Sequence, residues 1–200
     1  EKMNTQTIVD AITTGVFAQK NTPNVEMEIR LGKSNGSFFD TNIGAANFDK
    51  IINALEQFDG WEEKKSETGE VFYYNESKKR LTWHEDAGTQ ECVVKEKLFK
   101  QDFSDDKLPY DIRFSMSREL PTSKPDNEDA DRMIEKYRRS YIRKNLSIDM
   151  TIISGDSTDM DDEDGKKYQV ELEIIDPSMV EDEPKLFNIV HKVFDVLKIL

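Results

Sequence analysis

The chain has a single cysteine, Cys92, in 200 residues. No internal disulfide can form, and a reducing compartment is expected. No neighbouring Cys or His suggests a thiol enzyme around it. Histidine is almost as scarce. His84 and His191 are too far apart in sequence for a zinc-type ligand motif. The nine glycines form no glycine-rich phosphate loop, so nothing supports a P-loop mechanism. No apolar run approaches the roughly 20 residues of a membrane-spanning helix. The N-terminus, EKMNTQTIVD, lacks the apolar core of a secretory signal and does not begin with Met. The expectation is an intracellular protein, with this chain an excised piece of a longer one. No linker and no repeat of fixed period divides the sequence, so residues 1–200 read as one domain.

Charge is what the sequence has in plenty. Asp and Glu number 41 against 28 Lys and Arg, a net charge of −13. Such a balance argues against a surface that coats nucleic acid. Part of the excess is local, because Asp156, Asp159, Asp161, Asp162, Glu163 and Asp164 crowd one stretch that reads as a solvated hairpin tip. Total charge therefore does not exclude a polyphosphate site. Hydrophobic residues at 36% and aromatics at 10% suffice for a core, which excludes global disorder.

Three segments carry helical periodicity. Residues 4–19 place Ile8, Ile12 and Val16 on one face. Residues 47–58 offer Asn47 as an N-cap and Ile51, Ile52, Leu55 and Phe58 as an apolar face. Residues 183–200 have Pro184 in the first turn, with Phe187, Val190, Phe194, Leu197 and Ile199 supplying contacts. The intervening chain alternates with period two, predicting strands at 24–31, 61–67, 70–75, 79–85, 91–99, 110–120, 133–142, 145–153 and 167–176. Turns are expected at Ser34-Asn35-Gly36, Thr68-Gly69, Ala87-Gly88, 104–109, 121–129 and 154–165. The class is α+β, mainly β.

Alternation separates each strand into two faces. Val25, Met27, Ile29 and Leu31 oppose Glu26, Glu28 and Arg30. Val170, Leu172 and Ile174 oppose Glu171 and Glu173, and Ile148 and Met150 oppose Asp149 and Thr151. Ile112, Phe114 and Met116 oppose Arg113, Ser115, Ser117 and Glu119. Other strands add Arg80, Lys95, Lys97, Lys136 and Arg138 to the polar faces. One architecture compatible with this is an antiparallel sheet with one wet side. The other is a closed barrel turned inside out, with charges lining a narrow interior and apolar faces packed beneath the helices. Burying so many charges requires that they pair or hold ions.

Glu26-Met-Glu28 and Glu171-Leu-Glu173 are the sharpest local features. Carboxylates at i and i+2 of a strand project from one face, about 6–7 Å apart. Two such pairs on neighbouring strands would repel and raise one another's pKa. A hard divalent cation removes that penalty, and oxygen-only ligands suit Mg²⁺ or Mn²⁺.

Val25-Glu-Met-Glu-Ile-Arg-Leu-Gly32 and Gln169-Val-Glu-Leu-Glu-Ile174 resemble the first and last signature strands of the triphosphate tunnel metalloenzymes. Ser147-Ile-Asp-Met-Thr151 and Lys136-Tyr-Arg138 are similar to the intervening strands of the branch found in fungal and large-DNA-virus mRNA capping enzymes. Departures are Ser147 where a basic residue is common, Gln169 where an acid is common, and Arg30 for the Lys of an ExExK pattern. The resemblance implies a closed eight-stranded antiparallel barrel with a charged interior. Outside it would pack the helices of residues 1–23 and 182–200. It implies a metal-dependent RNA 5′-triphosphatase that removes the γ-phosphate of a transcript before capping. Glu26, Glu28 and Glu173 would hold Mg²⁺ or Mn²⁺ with Glu171 in support. Arg80, Lys95, Lys97, Lys136 and Arg138 would clamp phosphate oxygens. Glu119 would orient or deprotonate the attacking water, and Asp149 and Thr151 would hold basic side chains and metal waters. The partners implied are a 5′-triphosphate RNA end and a fused or associated guanylyltransferase or methyltransferase, with no membrane. The location would be the cytoplasm of an infected host or the virion if viral, and the nucleus if cellular. The rival readings are a tunnel hydrolase of polyphosphate or nucleoside triphosphates, and a non-catalytic polyanion-binding barrel.

Overall fold

Eight strands close on themselves. In the computed structural model, which describes residues 3–155 and 165–200, they run β1 (Val25–Asn35), β6 (Asp111–Pro121), β5 (Thr89–Phe103), β4 (Lys79–His84), β3 (Glu63–Tyr74), β7 (Arg132–Arg143), β8 (Leu146–Ser154) and β9 (Lys166–Ile174). Antiparallel pairing of β9 with β1 shuts the barrel. A three-residue strand, β2 (Phe38–Asp40), folds back on the end of β1 through a turn at Gly36, where φ is +63°. The acidic stretch 156–164 lies outside the described residues.

The core lies outside the barrel. Met27, Ile29 and Leu31 of β1, Ile112 and Phe114 of β6, Met150 of β8 and Leu172 of β9 are almost fully buried. They pack in one cluster with Ile8, Ile12 and Val16 of α1 (Thr5–Gln19), Phe48 and Ile51 of α2 (Ala45–Gln57), and Val190 and Val193 of α3 (Glu183–Leu197). Each such side chain contributes about 1.5–3 kcal/mol through removal from water. This covered face forces the alternating charges of the same strands inward.

Local signals set the helix limits. The Asn4 side chain accepts from the Thr7 amide and starts α1. Asp182 accepts from the Lys185 amide, with a proline in the first turn, and starts α3. Three sequence expectations need correction. Helix α2 begins at Ala45 after Gly44, and Asn47 sits inside it, donating to the Tyr110 hydroxyl at 2.6 Å instead of capping. The buried face of α3 is Leu186, Ile189, Val190, Val193, Val196 and Leu197, whereas Phe187 and Phe194 are only partly buried. Thr68-Gly69 is not a turn, because β3 runs unbroken from Glu63 to Tyr74. A Cβ on Gly69 would stand 2.6 Å from the Trp83 carbonyl oxygen, so the glycine serves close strand approach.

Candidate active site

The barrel encloses a polar cavity of about 450 Å³. Register places its carboxylates. Glu28 lies directly across from Glu173, and Arg30 from Glu171, on the β1–β9 pair. Glu171 in turn lies across from Asp149 of β8. Glu26 faces the small, buried Ser117, and Glu119 follows two residues along the same inward face of β6. Arg80, Lys95, Lys136 and Arg138 reach the same cavity from β4, β5 and β7.

Much of the charge is paired. Arg80 donates to Glu119 at 2.7 Å. Arg30 bridges Glu28 at 3.2 Å and Glu171 at 3.1 Å. Arg138 stands 3.6 Å from Glu171 and donates to the Thr151 hydroxyl at 3.0 Å. Lys95 lies 3.9 Å from Glu28. Asp149 accepts from Ser140 and Ser147 at 2.7 and 2.6 Å. Ser147, a departure from the family pattern, thus orients Asp149. Gln169, another departure, donates to Thr41 at 2.8 Å.

Three groups are left over. Among the described residues, no ion pair within 4 Å engages Glu26, Glu173 or Lys136. Burial pushes Glu26 up to about 8, helped by Glu119, Glu173 and Glu28. Burial, with Asp149 next, pushes Glu173 up to about 7. Burial and the neighbouring Arg138 bring Lys136 down to about 8. Glu171 is the opposite case. Burial pushes it up, but Arg30, Arg138 and Lys136 outweigh that and hold it at about 2. Burial likewise opposes ionisation of Glu119, and Arg80 beside it prevails and lowers it. Burial and Glu171 raise Glu28 despite Arg30 and Lys95. Burial also raises Asp149.

The donor set suits a hard divalent cation. It is all oxygen, and burial and repulsion disfavour ionisation of Glu26 and Glu173, a penalty that such an ion relieves. Among the described residues, no three Asp, Glu, His or Cys side chains are already gathered closely enough to ligate an ion. The carboxylates are adjacent but not yet convergent.

Two cations of the predicted polar faces lie elsewhere. Lys97 is exposed and does not line the cavity, although it pairs with Ser117 of β6 in the same register as Lys95 with Glu119. Arg113 forms a two-pronged pair with Asp102 at 2.7 and 2.9 Å. Glu67, Tyr73, His84, Glu91, Arg132 and Lys167 also line the cavity, of which His84, Glu91 and Lys167 share the strand parity of Arg80, Lys95 and Glu171. Reading 61–75 as one strand would expose Glu67 and Tyr73, since both share the parity of Val71, which also lines it.

The sequence model of the family described as mRNA capping enzyme, beta chain, matches residues 19–188. The chain belongs to this family. No curated protein sequence matches this chain. Solved structures share its fold. The S. pombe Pct1 RNA triphosphatase superposes with a TM-score of 0.77 at 20% identity, covering 98% of this chain and 91% of that one. The same protein in complex with the Spt5 CTD gives 0.75 at the same identity and coverage. The Mimivirus capping enzyme triphosphatase gives 0.66 at 17% identity, covering 98% and 97%.

The raised carboxyls give this chain a pH signature. With folded values of about 7 and 8 for Glu173 and Glu26, against an ordinary 4.5, the folded state binds more protons between pH 5 and 8. Stability of the metal-free protein therefore falls as pH rises through that window. Discounting for solvent screening, a loss of about 2 kcal/mol is expected, or about 4–8 °C in Tm. Added Mn²⁺ or Mg²⁺ should flatten the slope, because the ion replaces the protons. Melting at pH 5.5 and 8.5, with EDTA or with metal, checks this. A Tm that holds or rises with pH in EDTA would refute it.

Proposed function

We propose that this chain hydrolyses the γ-phosphate of 5′-triphosphate RNA, giving 5′-diphosphate RNA and phosphate. The observation that carries the reading is one cavity through the barrel in which two carboxyls, Glu26 and Glu173, share space with Lys136, all three without an ion pair among the described residues. A metal triphosphate carries both signs and satisfies both sets together. Family membership, and a fold shared with the Pct1 and Mimivirus triphosphatases, support it.

Glu26, Glu28 and Glu173 would hold Mg²⁺ or Mn²⁺, with Glu171 held ionised by Arg30 and Arg138 beside them. A bound divalent ion supplies neutralisation of charge developing on the γ-phosphate. Arg80 and Arg138 offer guanidinium forks to phosphate oxygens, and Lys95 and Lys136 offer point charges. Glu119, kept ionised by Arg80, takes or orients the proton of the attacking water. Thr151 fixes Arg138 and, with Asp149, sets its direction. Phosphoryl transfer of this kind relies on positioning and electrostatics. The product is a substrate for nucleotidyl transfer, so a guanylyltransferase and a methyltransferase, fused or associated, are the proposed partners. The proposed setting is the nucleus if the source is cellular, and host cytoplasm or virion if it is viral.

Phosphate release from triphosphate-ended RNA, ATP and inorganic tripolyphosphate, with Mg²⁺ or Mn²⁺ and with EDTA, tests the reading. RNA should show the highest kcat/KM, and EDTA should abolish release. RNA as the poorest substrate would favour a polyphosphate or nucleotide hydrolase. Binding without release from any of the three would favour a non-catalytic barrel.

A further inference from the structure

We propose that the transcript enters through the mouth that carries β2, and that the ring of Phe38 stacks on the bases at its 5′ end. This rests on the triphosphatase reading and adds a direction and a base contact to it.

The two mouths differ in charge. Antiparallel strands bring the ends of β1 and β3 and the starts of β7 and β9 to one rim, which presents Tyr73, Arg132, Lys167 and Gln169, with Asp40 of β2 beside them. The opposite rim gathers the end of β4 and the start of β5, and presents His84 and Glu91 close to Glu26 and Glu119. A polyphosphate approaching the second rim meets carboxylates first. Approaching the first, it meets a mixed rim of Arg132, Lys167 and Asp40, then Arg30, before Lys136 and Arg138. The carboxylates, and Glu119 with the attacking water, then lie beyond the γ-phosphate. Water and leaving group are on opposite sides, as in-line displacement requires.

Phe38 stands at the first rim. It lines the cavity yet is 58% exposed. The other phenylalanine of β2, Phe39, is buried and faces the Arg113 guanidinium at 4.4 Å. The ring of Tyr73 is covered by Arg132 at 4.3 Å. Phe38 engages no other ring or cation among the described residues. Backbone pairing of Asn35 with Phe38 and Lys33 with Asp40 fixes its place. Along β1 that place is roughly 23 Å of strand rise past Glu28, shortened along the axis by strand tilt. With the γ-phosphate among the carboxylates, that span accommodates the triphosphate and leaves the first nucleotides at the rim. An open aromatic face there is a sequence-tolerant platform for a base.

The test compares Phe38→Ala, Phe38→Leu and Phe38→Trp on three substrates with Mn²⁺. Tripolyphosphate carries no base, ATP carries one, and triphosphate-ended RNA carries several. Phe38→Ala and Phe38→Leu should lower kcat/KM about ten-fold on RNA, and measurably on ATP. Tripolyphosphate should stay within about two-fold of wild type, and Phe38→Trp should retain RNA activity. Because Phe38 is exposed, unchanged Tm values should accompany these results. Equal loss on all three substrates, or no loss on RNA, would overturn the stacking role. If Glu91→Gln alters RNA kinetics while Phe38→Ala does not, the direction is wrong. Wild-type protein that cleaves tripolyphosphate but not RNA would instead overturn the triphosphatase reading itself.

Discussion

Glu26→Gln is expected to lower kcat/KM on triphosphate RNA by about 10²–10³-fold while raising the metal-free Tm at pH 8.5. Glutamine keeps the shape and can still hydrogen bond to Glu119, but it removes a carboxyl that burial and Glu119, Glu173 and Glu28 all disfavour ionising. Relief of that repulsion should add about 2–4 °C at high pH, following about 1 kcal/mol. A residue that only supported the fold would lose Tm and activity together. Glu173→Gln should behave in the same way, since it is also raised and unpaired. The double variant should be scarcely worse than either single one, because groups that act as a unit are not additive. Unchanged metal-dependent hydrolysis in the folded double variant would refute both the metal assignment and the reaction.

Arg30→Met should do the reverse and cost stability first. Arg30 contacts both Glu28 and Glu171, and Glu171 is only 5% exposed. Removing one partner of a buried pair leaves a charge without compensation, at about 3 kcal/mol or more. For a chain of this size that is about 6–12 °C in Tm. Arg138 remains 3.6 Å from Glu171, so the loss should not be total. Adding Glu171→Gln should recover part of it, and the double-mutant cycle would give the coupling directly. A loss below about 0.5 kcal/mol would mean the pair is solvated enough to contribute nothing.

The inward rows of β1, β8 and β9 were legible from sequence because alternation is a geometric property of a strand and needs no partner. Glu26, Glu28, Asp149, Thr151, Glu171 and Glu173 all line the cavity or touch residues that do. Closure was another matter. Alternation alone leaves a wet-faced sheet and an inside-out barrel equally patterned, and only the β1–β9 pairing separates them. Phe99 shows where parity fails, since it shares the parity of Lys95, yet the bulge after Lys97 pairs it with Met116 on the core side. Gly69 shows the converse. A glycine beside threonine signals a turn locally, yet its purpose is the approach of Trp83 on the neighbouring strand. Strand β2 was missed because three residues carry too little period to be seen. Which of the inward carboxyls lack an ion pair was not legible, because pairing within the cavity depends on which side chains meet across strands.

With every large apolar cluster on its outer wall and chiefly ionic groups within, the cylinder itself has only strand pairing and internal ion pairs to hold it. The three helices therefore act as hoops around staves. Trimming the protein back to its β-strands would release the very pressure that holds like charges together, so the smallest unit that keeps the charged cavity includes α1, α2 and α3.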